Sequence, residues 1–227
     1  MTIDEKVGQM TQIDQRFLDT ITDLSTYSIG SLLSGGGSHP SVNEPQAWLD
    51  MYNKYQSESL KSRLQIPLIY GIDAVHGHNN VIGATLFPHN IGLGAANDPS
   101  LLRRIGEITA REVAVTGIDW IFAPTVATVK DNRWGRTYEG YSSESDIVGK
   151  YSREIVIGIQ GDNLSELRSN PEKLISTAKH FVGDGGTYRG IDQGNTILSL
   201  EDLLEQHGQG FYTAIDAGVQ TIMASFN

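Results

Sequence analysis

Short apolar segments that run into polar or glycine-rich residues alternate along this chain with segments of helical periodicity, and this alternation leaves few folds open. Strands that alternate with helices pair in parallel and are joined by right-handed crossovers. The chain is therefore predicted to be an α/β protein, either an α/β barrel or an open doubly wound sheet. No G-x-G-x-x-G follows the first predicted strand, which disfavours a dinucleotide-binding domain. The five predicted strands span 29–34, 66–73, 118–123, 174–181 and 219–227.

Helix signals fill the segments between these strands. Asp98 and Pro99 fit the N-cap and the first position of a helix, and Gly117 fits its C-terminal stop. Apolar residues at helical spacing predict three more helices, over 48–59, 147–159 and 200–215.

The length of the chain bears on the barrel alternative. A complete (β/α)8 barrel takes roughly 250 residues, and this chain has 227. Residues 219–227 have the pattern of a buried strand, and the edge of such a strand needs a partner. We therefore expect residues 1–227 to form the N-terminal part of a barrel domain, with no second domain in this chain. The remainder of the barrel or a complementing chain is the expected partner of that edge.

Composition excludes several other partners. The net charge of −10 disfavours nucleic acid and anionic membrane surfaces. No apolar run approaches the length of about 20 residues that a membrane span requires. The chain has no cysteine, which excludes disulfides and thiolate metal sites and leaves the compartment open.

The second predicted strand ends in a polar segment that carries an acidic residue and two histidines. Asp73 lies where a parallel strand delivers a side chain to the mouth of the sheet, and a carboxylate there can accept two sugar hydroxyls. A turn or cap aspartate is an equally good interpretation from this segment alone. His76 and His78 share one face of an extended segment, so with Asp73 they suggest a metal-dependent hydrolase as an alternative.

Two further polar clusters follow the third and fourth predicted strands. Residues 131–141 combine two arginines, a tryptophan, two tyrosines and a glutamate, a density that favours ligand binding over a structural Arg–Glu pair. Lys179 and His180 stand at the end of the fourth strand, where adjacent side chains normally point to opposite faces. Contact of both with one ligand would therefore require unusual backbone geometry. Residues 225–227, at the end of the fifth strand, suit a pocket wall.

Four motifs follow one another along the chain. They are the segment from Thr2 to Met10, Gly71-Ile72-Asp73-Ala74-Val75-His76-Gly77, Arg133-Trp134-Gly135-Arg136-x-Tyr138-Glu139, and the segment from Lys179 to Thr187. In this order they resemble glycoside hydrolases of family 3, in the exo-β-glucanase and β-glucosidase branch, and the resemblance covers the whole chain. The branch of β-N-acetylhexosaminidases usually has histidine where this chain has Asp184.

This resemblance implies a partial TIM (β/α)8 barrel with about the first five β/α units and parallel strands. It also implies that Asp73, Arg136, Lys179 and His180 bind one terminal glucose. Both Lys179 and His180 would face the sugar through non-proline cis peptide bonds beside the histidine. Phe226 stands where the family usually has tyrosine.

The resemblance further implies a retaining exo-acting β-glucosidase or β-glucan glucohydrolase that releases glucose from non-reducing ends. The nucleophilic aspartate and the acid/base glutamate are expected beyond Asn227, so residues 1–227 alone are expected to be inactive on their β-glucoside or β-glucan substrate. No cofactor is implied. A non-catalytic sugar-binding or interaction fragment remains an alternative.

Overall fold

The computed structural model describes all residues from Met1 to Asn227 and contains one sheet of six parallel strands. The strands follow one another across the sheet in chain order, and every neighbouring pair is parallel. A doubly wound sheet reverses its strand order at a switch point, whereas a barrel does not. The sheet is therefore a curled part of a TIM-type barrel, as predicted. The strands are β1 (Gln12–Asp14), β2 (Ser31–Ser34), β3 (Ile69–Ile72), β4 (Trp120–Ile121), β5 (Ile175–Phe181) and β6 (Thr221–Ala224).

Nine α-helices connect and cover the strands. Among the longer ones, α5 packs against α6, and α6 packs against α9. The contact of α5 with α6 is close because Gly106 and Gly158 face each other and leave no room for a side chain between them. The helices are α1 (Ile3–Gln9), α2 (Asp23–Thr26), α3 (Pro45–Ser59), α4 (Asn90–Ala96), α5 (Pro99–Ala114), α6 (Ser145–Gln160), α7 (Leu164–Ser169), α8 (Leu200–His207) and α9 (Gln209–Asp216).

The hydrophobic core lies between the sheet and these helices. It joins the strand residues Tyr70, Ile72 and Ile121 to helix residues such as Trp48 and Leu102 in one cluster of 30 buried residues. Such a core fixes the strands and therefore the positions at which their carboxyl ends present side chains.

The predicted strands and helices are confirmed in type, but several differ in extent, since β3 and β6 are shorter than the segments 66–73 and 219–227, and α2, α4 and α7 were not predicted. β1 was not predicted, because three partly polar residues show no alternation that a pattern could detect. β4 is only two residues long, although its apolar pattern covers 118–123. The helix predicted over 200–215 is divided at Gly208, which ends α8 and precedes α9.

The predicted helix start at Asp98 is confirmed, since the Asp98 side chain accepts a hydrogen bond from the backbone N–H of Ser100. Gly117 lies three residues after the end of α5, where it turns the chain toward β4 with a φ of 82°. None of the nine helices combines the length and the apolar character that crossing a membrane requires.

Candidate functional site

A lysine and an aspartate meet at the carboxyl ends of β3 and β5. The Nζ atom of Lys179 donates a hydrogen bond to Oδ1 of Asp73 over 2.8 Å. The Lys179 side chain is only 4% exposed, whereas that of Asp73 is 45% exposed. The buried ammonium thus holds a carboxylate that still faces solvent. Gly35 lies against the Asp73 side chain at a φ of 136°, a backbone conformation that side chains rarely adopt.

Arg136 is fixed by a bidentate ion pair. Its Nε and Nη2 atoms donate to Oε1 and Oε2 of Glu139 at 2.6 and 2.7 Å. The hydroxyl of Thr125 also donates to Oε2, and the side-chain amide of Asn90 donates to the Glu139 backbone carbonyl. This pairing leaves the Nη1 atom of Arg136 outside the ion pair.

Glu139 connects the cationic residues electrostatically. Burial alone would raise the pKa of Glu139, but the hydrogen bonds and charge of Arg136, with the charges of Lys179 and His180, hold that pKa below its usual value. The negative charge of Glu139 reduces the repulsion between the cations Arg136 and Lys179. From the sequence alone, a structural Arg–Glu pair is the alternative to ligand binding. The structure contains such a pair, Arg136 with Glu139, beside the cleft.

His180 is oriented by Asp184. The imidazole Nδ1 atom lies 2.8 Å from Oδ2 of Asp184, whose Oδ1 atom accepts from the backbone N–H of Gly185. A proton on Nδ1 is thereby donated to the carboxylate, and Nε2 is left for a ligand. The Lys179–His180 and Phe181–Val182 peptide bonds are both cis, so the unusual backbone that the resemblance implied is present.

A cleft opens beside His180. Arg136 and His180 both line this cleft, whereas Asp73 and Lys179 do not. Lys179 is nevertheless close enough for its charge to act on Glu139, the partner of Arg136. The side chains that line the cleft are Trp134, Arg136, His180, Asp184, Asp192, Gln193, Met223, Ser225 and Phe226, together with Ala224.

Some lining residues were predicted and others were missed. Ser225 and Phe226 form part of the wall, as expected of the end of the last strand, whereas Asn227 turns away and donates to the carbonyl of Val182. Asp192 and Gln193 were missed because they lie in an irregular loop far from any predicted strand end. The Nε1 atom of Trp134 donates to Oδ1 of Asp192 over 2.9 Å, which fastens this loop to the cleft.

The histidines of the metal alternative do not converge. The Nδ1 atom of His76 lies 3.0 Å from the carbonyl oxygen of Phe87, and its ring stacks on His89. His78 is buried with its Nε2 atom 3.2 Å from the hydroxyl of Thr116, and burial lowers its pKa to about 4. No group of three or more His, Asp or Glu side chains is arranged to hold a metal ion. The metal-dependent alternative was therefore wrong about the placement of these residues.

The sheet defines a TIM-barrel-like α/β domain with a polar cleft at the carboxyl ends of its strands. Residues 2–227 match the family described as glycosyl hydrolase family 3 N terminal domain. The chain belongs to glycoside hydrolase family 3, a family of glycosidases, in agreement with the resemblance of its motifs.

Relatives of known activity and structure cover the whole chain. A lysosomal beta glucosidase of Dictyostelium discoideum is 36% identical over 98% of this chain and 30% of its own length. The crystal structure of an exo-1,3/1,4-beta-glucanase from a Pseudoalteromonas species is 51% identical with a TM-score of 0.95, over 100% of this chain and 29% of that protein. A beta-glucosidase from Listeria innocua, solved in complex with glucose, is 27% identical with a TM-score of 0.84, over 100% of this chain and 32% of that protein.

The chain thus spans about a third or less of the length of each of these three relatives. Its family and its fold follow from these comparisons.

Proposed function

We propose that the protein carrying this chain is a retaining exo-acting β-glucosidase or β-glucan glucohydrolase, and that residues 1–227 supply part of its glucose pocket. The observation that carries the proposal is a pair of neighbouring contacts: Lys179 donates to Asp73, and Arg136 and His180 line one cleft, with the charge of Lys179 acting on Glu139, the partner of Arg136. These four residues come from three separate motifs of the chain. We propose that one ligand contacts all four.

Each of the four offers a group that suits a sugar hydroxyl. The half-exposed Asp73 carboxylate accepts hydrogen bonds from two neighbouring hydroxyls while Lys179 holds it in place. Arg136 keeps Nη1 for a ligand because Nε and Nη2 bind Glu139. His180 offers Nε2, since Nδ1 faces Asp184. A single glucose ring has enough hydroxyls to engage all of them.

Retaining hydrolysis also needs a nucleophilic carboxylate and an acid/base carboxyl group, about 5 Å apart. The acidic residues around the cleft all have partners. Asp73 pairs with Lys179, Glu139 with Arg136, Asp184 with His180, and Asp192 accepts from an indole N–H. We therefore propose that both reacting carboxylates come from outside residues 1–227, and that these residues alone do not turn over a glucoside.

The relatives support glucose as the unit that is bound. The beta-glucosidase from Listeria innocua has been solved with glucose and, as a mutant, with laminaribiose. The name of the Pseudoalteromonas relative specifies 1,3- and 1,4-β-glucans. We extend both substrates to this protein as a proposal, with laminaribiose and cellobiose as the disaccharides to test.

The complete pairing of the acidic groups also favours a second candidate for residues 1–227 by themselves, which is sugar binding without catalysis. The open edges of β1 and β6 would in either case be covered by the remainder of a barrel or by a complementing chain. The exposure of Phe226, which follows β6 and is 85% exposed, supports a missing partner at the β6 edge.

The test is hydrolysis of an aryl-β-glucoside by the protein at its natural length, followed by proton NMR from the first seconds. We expect β-glucose to appear first, because a double displacement retains the configuration. The variant Asp73→Asn should lose most of kcat/KM, whereas the control Asp50→Asn on the exposed face of α3 should not. Absence of glucose, or α-glucose as the first product, would refute the proposal.

A further inference from the structure

Unpaired polar atoms are concentrated behind the histidine of the cleft. The buried side-chain atoms without a protein hydrogen-bond partner are Nδ1 of His78, Oγ1 of Thr128, Oγ1 of Thr187, and both ring nitrogens of His207. All except the His78 atom belong to residues around a single short 3-10 turn, Asp184–Gly186. Buried polar groups in native proteins nearly always have partners, so a local concentration of unpaired ones calls for a physical explanation.

His207 packs directly against this turn. It is the last residue of α8, and it is only 2% exposed. A Cβ atom on Gly186 would lie 2.5 Å from its Nε2 atom, so the ring occupies the space beside that glycine. On the other side of the turn, Gly185 is in close contact with the backbone carbonyl of Thr128. The turn is thus held between His207 and Thr128.

The front of the same turn carries the residue that orients His180. Asp184 accepts from the imidazole of His180 over 2.8 Å. Its other carboxylate oxygen is occupied by the backbone N–H of Gly185, within the turn. A shift of the turn therefore moves the carboxylate that fixes the His180 ring.

The chemistry of the cluster fits water rather than an ion. Burial lowers the pKa of His207, an effect that the Asp184 charge opposes and the nearby Lys130 reinforces. A neutral imidazole offers one donor and one acceptor, and the hydroxyls of Thr128 and Thr187 can do either. Buried water molecules characteristically bind two to four such groups.

We propose that His207 is a positioning residue for His180, which with Thr128 and Thr187 holds ordered water behind the Asp184–Gly186 turn and so fixes Asp184 against the His180 imidazole. This role for His207 depends on the proposed function in one respect, namely that His180 binds the sugar. It assigns a role to a histidine that lies 27 positions beyond His180 in the chain and does not line the cleft.

The first test is a double-mutant cycle on the natural-length protein with an aryl-β-glucoside. His207→Phe should lower kcat/KM about tenfold in the wild-type background, and by less than about twofold in the His180→Ala background, because the ring acts through His180. His207→Gln, which keeps a donor and an acceptor, should recover most of the loss.

The matched control is His78→Phe, which removes a buried histidine elsewhere in the chain. Any loss that it causes should be of the same factor in both backgrounds. Equal losses for His207→Phe in both backgrounds, or no loss in the wild-type background, would overturn the proposal.

The second test needs no variant. A crystal structure of the wild-type protein at high resolution should show at least one ordered water molecule that joins a His207 ring nitrogen to Thr128 or Thr187. A dry cluster would overturn the proposal even if the variants do not fold. Failure of the wild-type protein to hydrolyse any β-glucoside would instead refute the proposed function, and the water molecules would still decide whether His207 is linked to the turn.

Discussion

At the scale of single residues, the site is a set of charges that hold one another in place. Lys179 is buried with one anionic partner, Asp73, and it lies close to a second, Glu139. Arg136 pairs with Glu139, and His180 with Asp184. Each of these side chains therefore has a fixed direction before any ligand arrives, which reduces the entropy cost of ligand binding.

Loss of the buried ammonium is the sharpest test of this arrangement. We predict that Lys179→Met lowers kcat/KM for an aryl-β-glucoside about 10- to 100-fold, since a charge-assisted hydrogen bond to Asp73 is lost and the carboxylate is no longer held. Lys54→Met on the exposed face of α3 is the matched control and should be silent. Steady-state kinetics of the two variants decide the matter, and equal activity of both would show that the pair has no role in binding.

The lowered pKa of Glu139 leads to a prediction about how the stability of the domain depends on pH. Because its folded pKa lies below its usual value, it contributes stability that is present above about pH 4.5 and is lost as the pH falls through the lower folded pKa. The Tm of Glu139→Gln should therefore fall furthest below that of the wild type near neutral pH, and the gap should narrow in acid. Thermal unfolding between about pH 7 and about pH 3, with the exposed Glu205→Gln as control, measures this gap. A gap that stays constant with pH would contradict the assigned role.

At the scale of elements, the sequence predicted well those features that depend on neighbouring residues. The apolar segments of β2, β3, β5 and β6 and the cap of α5 at Asp98 are local signals, and they are found where the patterns place them. β1 lacks such a signal, because its three residues show no apolar alternation.

Long-range contacts in the site could be predicted only in part. The Asp73–Lys179 contact joins residues 106 positions apart, and only the parallel order of the strands indicates that they meet. From alternation alone, Lys179 and His180 should face opposite ways, and the resemblance was needed to expect otherwise. The contact of Asp184 with His180 spans only four residues, but it depends on the turn between them, for which the sequence shows no regular pattern. The packing of His207 behind that turn arises from how α8 docks on the loop, which no local signal indicates.

Packing between strands gives a prediction at this scale. Gly71 of β3 lies against the Phe122 ring, and an added methyl group would overlap that ring. We predict that Gly71→Ala destabilises the domain by about 1–3 kcal/mol through overpacking. Gly135→Ala, where no atom lies near the added group, should change the stability by less than about 0.5 kcal/mol. Urea unfolding of the two variants tests this, and similar midpoints would refute the packing argument.

At the scale of the whole molecule, residues 1–227 form a sheet with two open edges and a cleft whose acidic groups are all engaged. We therefore propose that residues 1–227 bind the glucose, and that the two carboxylates that react with it lie elsewhere in the protein.

The most direct test of this division is to trap the glycosyl-enzyme intermediate. Retaining glycosidases form a covalent bond between the nucleophilic carboxylate and the sugar, and a 2-deoxy-2-fluoro-β-glucoside with a reactive leaving group makes that bond long-lived. The natural-length protein would be labelled, digested and mapped by mass spectrometry. We predict one labelled aspartate outside residues 1–227, with labelling slowed by Asp73→Asn. A label on any acidic residue within 1–227, or no covalent adduct in a protein that hydrolyses the glucoside, would contradict the account.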